Sequence, residues 1–381
     1  MKVVLLSPRN DLSGNRKLIT MLAHQLGQRH AVRILYPVVP DRAFLAHRRQ
    51  GPSRVGALKT VLGDVGRYVR HPAWRYAALC DGSDVSVEAY WRVLPTRVLA
   101  SADTVVYFSP YQALELSEVA ASRAARVFYA MHDHTRTDAH LVDVQTLRQA
   151  YQAAEHVIAL SEETRRHLLE LGVHSEAVVP AGVDPSIFYP APKADSGPLR
   201  ILGYYWPGEP RKGAEVLRQA LQQIRARHPH VAISLLASSG ARLPGYDSYS
   251  ELSEPALAAL YRRHDIFVYP NTHGGGFGLP PLEAMASGCA VVATKVGAIE
   301  DYAQDGVSAL LCDPNSADQL VAGLERLIRE PDMLLALRTR AVEQAQEWSW
   351  RQAAEQMERY LTTVVGDRVL CGATTERGVE R

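Results

Sequence analysis

The chain is poor in cysteine. Four thiols in 381 residues, Cys80, Cys289, Cys312 and Cys371, lie far apart with no CxxC spacing, which excludes a disulfide-stapled scaffold. Cys289 and Cys312 sit in apolar runs and read as buried thiols of a protein kept in a reducing cytosol. An excess of charge is missing too: 42 Lys and Arg against 41 Asp and Glu give a net charge of +1, so no global field draws the chain to nucleic acid. No apolar run reaches the length that crosses a bilayer. Met1 to Ser7 holds only Lys2 and four apolar residues before Pro8 and Arg9, too little for a secretory core, and reads as a first strand. A G-x-G-x-x-G after that strand is also lacking, since Pro8 to Gly14 does not supply one, which argues against a Rossmann oxidoreductase. What remains is a chain 47% hydrophobic and long enough for two domain cores.

Apolar runs and helical spacings alternate along it. Val3 to Leu6, Val32 to Tyr36, Thr104 to Phe108, Arg126 to Ala130 and His156 to Leu160 read as strands with helices between, which predicts a parallel sheet. Pro185, Pro190, Pro192, Gly197 and Pro198 mark a linker. A second series follows, with strands at Leu199 to Gly203, Val231 to Leu236, Ile266 to Tyr269, Ala290 to Ala293 and Ala309 to Leu311, and a helical pattern over Val216 to Arg227. Trp350, Ala353, Ala354, Met357 and Leu361 recur at helical spacing near the end, whereas Gly366 to Arg381 lacks periodicity and is expected to fray. Two doubly wound α/β domains facing a cleft are expected, 1–190 and 198–348.

The segment His273 to Gly288, HGGGFGLPPLEAMASG, joins one of these strands to a helix. Glycines 274, 275, 276 and 278 let backbone N-H groups approach a ligand, and the helix start behind them offers unpaired donors and a positive dipole end. Pro280 and Pro281 suit the first helical turn, where donors are not needed. Together they describe a diphosphate cradle built from Gly275, Gly276, Phe277, Gly278 and Leu279. Glu283, one short turn on, can accept hydrogen bonds from a ribose diol.

Three other places carry candidate chemistry. Arg211 and Lys212 precede a helix after the strand Leu199 to Gly203, where two cations can neutralise a leaving diphosphate. His132, in Met131-His132-Asp133-His134, follows a strand at its carboxyl end; the two histidines alternate sides in an extended chain and no third ligand is identifiable, so a metal site is not expected. Ser13 and Gly14 occupy the first strand-to-helix loop, where a Rossmann-like domain meets its ligand. Between Arg42 and Arg75, basic residues interleave with Val55, Leu58, Leu62, Val65 and Val69. This basic amphipathic stripe either packs on its own domain or lies on an anionic membrane.

The segment from His273 resembles the signature of family-4 retaining glycosyltransferases, E-G-F-G-L-P-P-L-E-A-M-A-x-G, followed by a buried strand and a turn matched here by Gly297, Ala298 and Glu300. Val179-Pro180-Ala181-Gly182-Val183-Asp184 with Phe188 resembles the family's V-I-P-N-G-V-D segment. Lys212 and Gly213 match its G-R-x-x-x-x-K-G turn. The resemblance implies two Rossmann-like domains of GT-B type, the first completed by a C-terminal helix over 349–365 that crosses back to it. It implies sugar transfer from a nucleoside diphosphate donor with retention and no divalent metal or other cofactor. The acceptor is a glycan, a lipid-linked saccharide or a small molecule, in a cytoplasmic protein that touches the inner membrane face at most peripherally. His132 would contact the donor sugar with Asp133 orienting it, Lys212 and Arg211 would take the leaving charge, and Thr294 to Gly297 with Glu300 would shape the base pocket and helix start. Two positions depart from the pattern: the first signature glutamate falls on Gly275 and the arginine of the cation turn on Trp206. They leave open a rival reading, a nucleotide-sugar-binding subunit that lost its chemistry.

Overall fold

The computed structural model describes residues 1–8, 14–37, 82–90, 94–110, 112–113, 116, 123–131, 144–192, 197–274 and 276–376. The chain divides into two compact units, 1–180 with 350–381, and 181–349.

The first unit is built on a seven-stranded, all-parallel sheet. Its strands are β1 (Lys2–Leu6), β2 (Ala31–Pro37), β3 (Val85–Tyr90), β4 (Thr104–Tyr107), β5 (Ala125–Ala130), β6 (His156–Ala159) and β7 (Ala177–Val178), in the spatial order 3-2-1-4-5-6-7. The central strands are largely apolar because helices cover both faces of a parallel sheet; β4, TVVY, is buried throughout. The described residues between them form the helices α1 (Gly14–Leu26), α2 (Thr96–Ala100), α3 (Val144–Gln152) and α4 (Glu162–Glu170). Ser161 caps α4, its hydroxyl accepting from Thr164 N at 3.0 Å.

The second unit repeats the scheme with six strands: β8 (Arg200–Tyr205), β9 (Ala232–Ala237), β10 (Asp247–Tyr249), β11 (Ile266–Tyr269), β12 (Ala290–Thr294) and β13 (Leu310–Cys312), ordered 10-9-8-11-12-13 and all parallel. Its helices are α5 (Ala214–Arg227), α6 (Glu254–Arg262), α7 (Leu279–Ala286), α8 (Ile299–Tyr302), α9 (Ala317–Arg329) and α10 (Pro331–Gln346). Leu217, Leu221 and Ile224 of α5, Leu320, Leu324 and Leu327 of α9 and the strands between form one core. Each unit is a Rossmann-like, doubly wound α/β layer structure, the class expected from the alternating pattern. Cys289 and Cys312 are buried, and the Cys289 thiol donates to the Tyr261 carbonyl at 3.1 Å.

A final helix, α11 (Trp350–Glu376), belongs to the first unit. Its inner face buries Trp350, Ala353, Met357 and Leu361. At its edge Glu358 meets His30 at 2.9 Å and Arg29 at 2.8 Å, and the Tyr360 hydroxyl donates to Glu176 at 2.8 Å. Arg368 donates to the Ala124 carbonyl and pairs with Glu155. These anchors carry the helix through Gly366 to Glu376, beyond the expected end at 365. The unit boundary also differs from the proline-rich stretch. Val183 N donates to Trp348 O at 2.9 Å, Arg262 donates to Ile187 O at 3.0 Å, and the Arg262 guanidinium lies 4.5 Å from the Tyr189 ring centre. Those contacts tie 183–189 to the second unit, so the division falls at Pro180.

Three strands have no counterpart in the sequence reading. β3, β7 and β10 are edge or near-edge strands, and β7 and β10 have only two and three residues. Segments that short gain their pairing from the sheet beside them rather than from their own pattern. Among the described residues no helix is long and apolar enough to cross a membrane.

Candidate functional site

In the second sheet the strand order reverses between β8 and β11. Loops leaving the carboxyl ends of two such strands diverge and leave a crevice for ligands. Here those loops are the two that sequence analysis singled out: Trp206 to Gly213 after β8, and Pro270 to Gly278 after β11.

The first loop tightens into a short 3₁₀ turn, Pro210–Lys212, and then enters α5 through Gly213. Gly213 has φ +65°, and a Cβ there would lie 1.8 Å from the Pro270 carbonyl oxygen. Only glycine allows so close an approach of the two loops. Thr272 N donates to the Arg211 carbonyl at 2.8 Å, which joins them further.

Lys212 is half-buried, its Nζ 5.5 Å from the centre of the Tyr204 ring. Burial lowers its pKa to about 8, and the neighbouring Arg211 cation pushes it the same way while Glu209 opposes. A cation held in partial desolvation is poised to gain from an anionic ligand. Arg211 is otherwise engaged: Nε donates to Glu209 Oε2 at 3.1 Å, Nη2 lies 2.9 Å from the same oxygen in an ion pair, and Nη1 reaches the Gly274 carbonyl at 3.4 Å. Sequence reasoning passed over Glu209, although an acid two residues before a cation was the available signal. Trp206 stacks on Tyr204 with ring centres 4.1 Å apart. Its indole therefore extends an aromatic layer, Tyr204, Tyr269 and Phe267, where the motif has a cation.

In the second loop, Gly278 takes φ +80° as the residue preceding α7, with Pro280 and Pro281 in the first turn as expected. The Tyr302 hydroxyl donates to the Gly278 carbonyl at 2.8 Å, and Ala298 N to the Gly276 carbonyl at 3.3 Å, so the α8 region braces the turn. Phe277 is buried between Tyr302 and Trp348, at ring distances of 5.3 and 5.8 Å. Its ring serves packing, and any ligand contact there comes from backbone. Behind the loop, the Thr294 hydroxyl donates to the Asn271 carbonyl at 2.5 Å and Asn271 Nδ2 to the Tyr269 hydroxyl at 2.8 Å. Thr294 thus braces the loop from below. Glu283 stands in α7 at 4% exposure, among Tyr204, Tyr261 and Tyr302, whose hydroxyl pKa values burial drives far up, with the Glu283 charge adding to that. Glu300 lies exposed in the first turn of α8.

The structure therefore gathers Arg211, Lys212, Gly276, Phe277, Gly278, Leu279 and Glu283 around one crevice of the second unit. Gly14 is the first residue of α1 in the first unit. Ser13, His132, Asp133, Gly275 and the basic stripe of 42–75 lie outside the described residues.

Residues 246–348 match the glycosyl transferases group 1 family. That stretch holds the second loop, α7 and Trp348. Phosphatidyl-myo-inositol mannosyltransferase of Mycolicibacterium smegmatis is 32% identical over 224 residues, 55% of this chain and 57% of that protein. D-inositol 3-phosphate glycosyltransferase of Thermobispora bispora is 30% identical over 246 residues, 56% of this chain and 57% of that protein. The chain thus spans somewhat over half the length of these curated relatives. In fold, it resembles Anabaena HepE, solved in complex with UDP, with a TM-score of 0.71, covering 95% of this chain and all of that one at 17% identity. HepE has also been solved with UDP-glucose.

Proposed function

We propose that this chain moves a sugar from a nucleoside diphosphate donor to an acceptor hydroxyl, with retention of anomeric configuration and no divalent metal. The observation that carries the reading is the pairing, at the switch point of the second sheet, of a half-buried cation, Lys212, with a glycine turn that opens a helix. That combination suits a diphosphate. Glu283, one turn into α7, suits a ribose diol. The names of the relatives, a mannosyltransferase and a glycosyltransferase, and the UDP held by HepE support the same class of donor.

In this mechanism the leaving phosphate oxygens take the proton of the acceptor hydroxyl on the face of the sugar from which the diphosphate departs. The new C–O bond forms on that face as the old one breaks. Negative charge grows on the diphosphate, and Lys212 with the N-H groups at the start of α7 receives it. His132, with Asp133 orienting it, contacts the donor sugar. Both relatives are named for an inositol compound, which supports a polyol hydroxyl as the acceptor. The protein works in the cytoplasm, with the 42–75 stripe as its contact with an anionic membrane face.

Thermal shift against uridine, guanosine and thymidine diphosphates and their sugars, followed by turnover with the sugar that binds, tests the proposal. Stabilisation by one nucleotide and release of that diphosphate during transfer is the expected result. A second reading rests on Trp206, which stands where the motif has a cation: a nucleotide-sugar binder without turnover. Tight calorimetric binding with no transfer or hydrolysis over a broad panel of donors and acceptors would select it.

A further inference from the structure

Glu209 takes no part in the reading above, yet it holds one of the two cations of the first loop. Its carboxylate oxygen Oε2 accepts from Arg211 Nε at 3.1 Å and lies 2.9 Å from Nη2 in an ion pair. The same arginine's Nη1 reaches over to the Gly274 carbonyl at 3.4 Å, at the edge of a hydrogen bond. The backbone between them is fastened independently: Lys212 N donates to Glu209 O at 2.9 Å, Gly213 N to Pro210 O at 3.1 Å, and Thr272 N to Arg211 O at 2.8 Å. The side-chain pair is therefore not needed to hold the two loops together. Both side chains are 43% exposed, and an ion pair in such surroundings contributes little to stability and opens easily.

We infer that Glu209 is a placeholder for the anion: its carboxylate occupies the Arg211 guanidinium until an arriving diphosphate beside Lys212 displaces it and takes over Arg211. The inference rests on the donor reading above for the identity of that anion. Two features favour exchange over a permanent bond. Arg211 is a planar fork that binds carboxylate and phosphate with the same geometry, so the swap costs no new orientation of the guanidinium. Unless it moves away, the Glu209 carboxylate also repels a diphosphate at the crevice. Trp206 provides no charge, so Arg211 becomes the second cation of the site only after the exchange. Glu209 thereby sets how strongly Arg211 takes up small anions, and it makes a full diphosphate, rather than a single phosphate, the ligand able to dislodge it.

Calorimetry of the full chain with inorganic pyrophosphate, inorganic phosphate and nucleoside diphosphates at low salt, on the wild type, Glu209→Gln, Arg211→Gln and the double variant, tests this. Glu209→Gln is expected to bind pyrophosphate about two- to fivefold more tightly, the worth of one exposed ion pair, with only a small fall in melting temperature from the same lost pair. The gain should vanish in the double variant, and single phosphate, which does not displace Glu209 in the wild type, should gain less than pyrophosphate. Equal or weaker pyrophosphate binding by Glu209→Gln, or a gain that persists without Arg211, overturns the placeholder. A gain for pyrophosphate with no nucleoside diphosphate bound by either protein upholds the placeholder and removes the donor reading. No binding of any anion overturns both.

Discussion

The two sheets reverse their strand order in the same way, yet the ends of the strands at the two reversals are put to different use. In the first unit the reversal lies between β1 and β4. There the buried side chain of Gln112 accepts from Phe108 N at 3.2 Å and Ser109 N at 3.1 Å, and donates to Ser7 O at 3.0 Å. The polar groups described at that edge are spent on one another. In the second unit the reversal between β8 and β11 carries a half-buried lysine, an arginine held by an exposed carboxylate and a glycine turn at the head of a helix. Among the described residues one switch point carries an internal hydrogen-bond staple, and the other carries charge and a glycine turn. The same topology supports both, because a switch point supplies only the space and side chains decide whether it is filled from within.

The contrast can be broken most severely at Gly213. Gly213→Ala places a Cβ 1.8 Å from the Pro270 carbonyl oxygen at a φ of +65°, and the loops must part. A loss of roughly 2–4 kcal/mol in denaturant unfolding of the second unit is expected, with loss of nucleotide binding. A variant as stable as wild type that still binds nucleotide would show that the two loops need not touch.

Lys212→Ala tests the charge itself. Removing the cation that faces the leaving group should lower kcat roughly 10²–10³-fold while weakening ground-state binding much less. Equal losses in both would make Lys212 a binding residue only. The wild type offers a companion measurement in pH. Lysine titrates near 10.5 when unfolded and at about 8 here, so between these values the unfolded chain holds a proton that the folded chain has lost. Folding stability contributed by this group therefore rises with pH across that window. Diphosphate affinity runs the opposite way and should fall as pH passes about 8, a slope that calorimetry across the window would read and that Lys212→Ala would erase.

Glu283→Ala should weaken nucleoside diphosphate binding by about 1–3 kcal/mol and leave pyrophosphate binding unchanged, since the lost hydrogen bonds are those to the ribose. Parallel loss for both ligands would place the carboxylate elsewhere. The smallest effect on function belongs to the other unit. Gln112→Ala strands two buried N-H groups and should cost about 1–3 kcal/mol in stability. Nucleotide affinity should stay at the wild-type value, and a drop would show that the first reversal also serves the ligand.

Much of this was legible in the chain. Central strands such as Ile266 to Tyr269 and Ala290 to Thr294 are continuous apolar runs because both faces of a parallel sheet are covered, so pattern alone locates them. The glycine turn with Pro280 and Pro281 announces a helix start at an anion-ready loop for local steric reasons, and the structure has it there. The edge strands were not legible, since three polar residues, Asp247 to Tyr249, become a strand only because β9 offers unpaired backbone beside them. Nor was the division at Pro180, which depends on Val183 finding Trp348 across 165 residues of chain.

Local chemistry thus dictated which residue types stand at the crevice: Lys212 beside Gly213, glycines before a helix, an acid one turn inside it. Those choices are written in neighbouring positions and need nothing distant. Which of them share a crevice, which cation is already engaged and which ring is used up in packing were decided only by the fold. Arg211 meets Glu209 and Gly274, and Phe277 disappears between Tyr302 and Trp348, because strand order brings together loops that lie some sixty residues apart. Distance along the chain carries no information about such meetings, and the packing that enforces them is set by the whole sheet rather than by any segment.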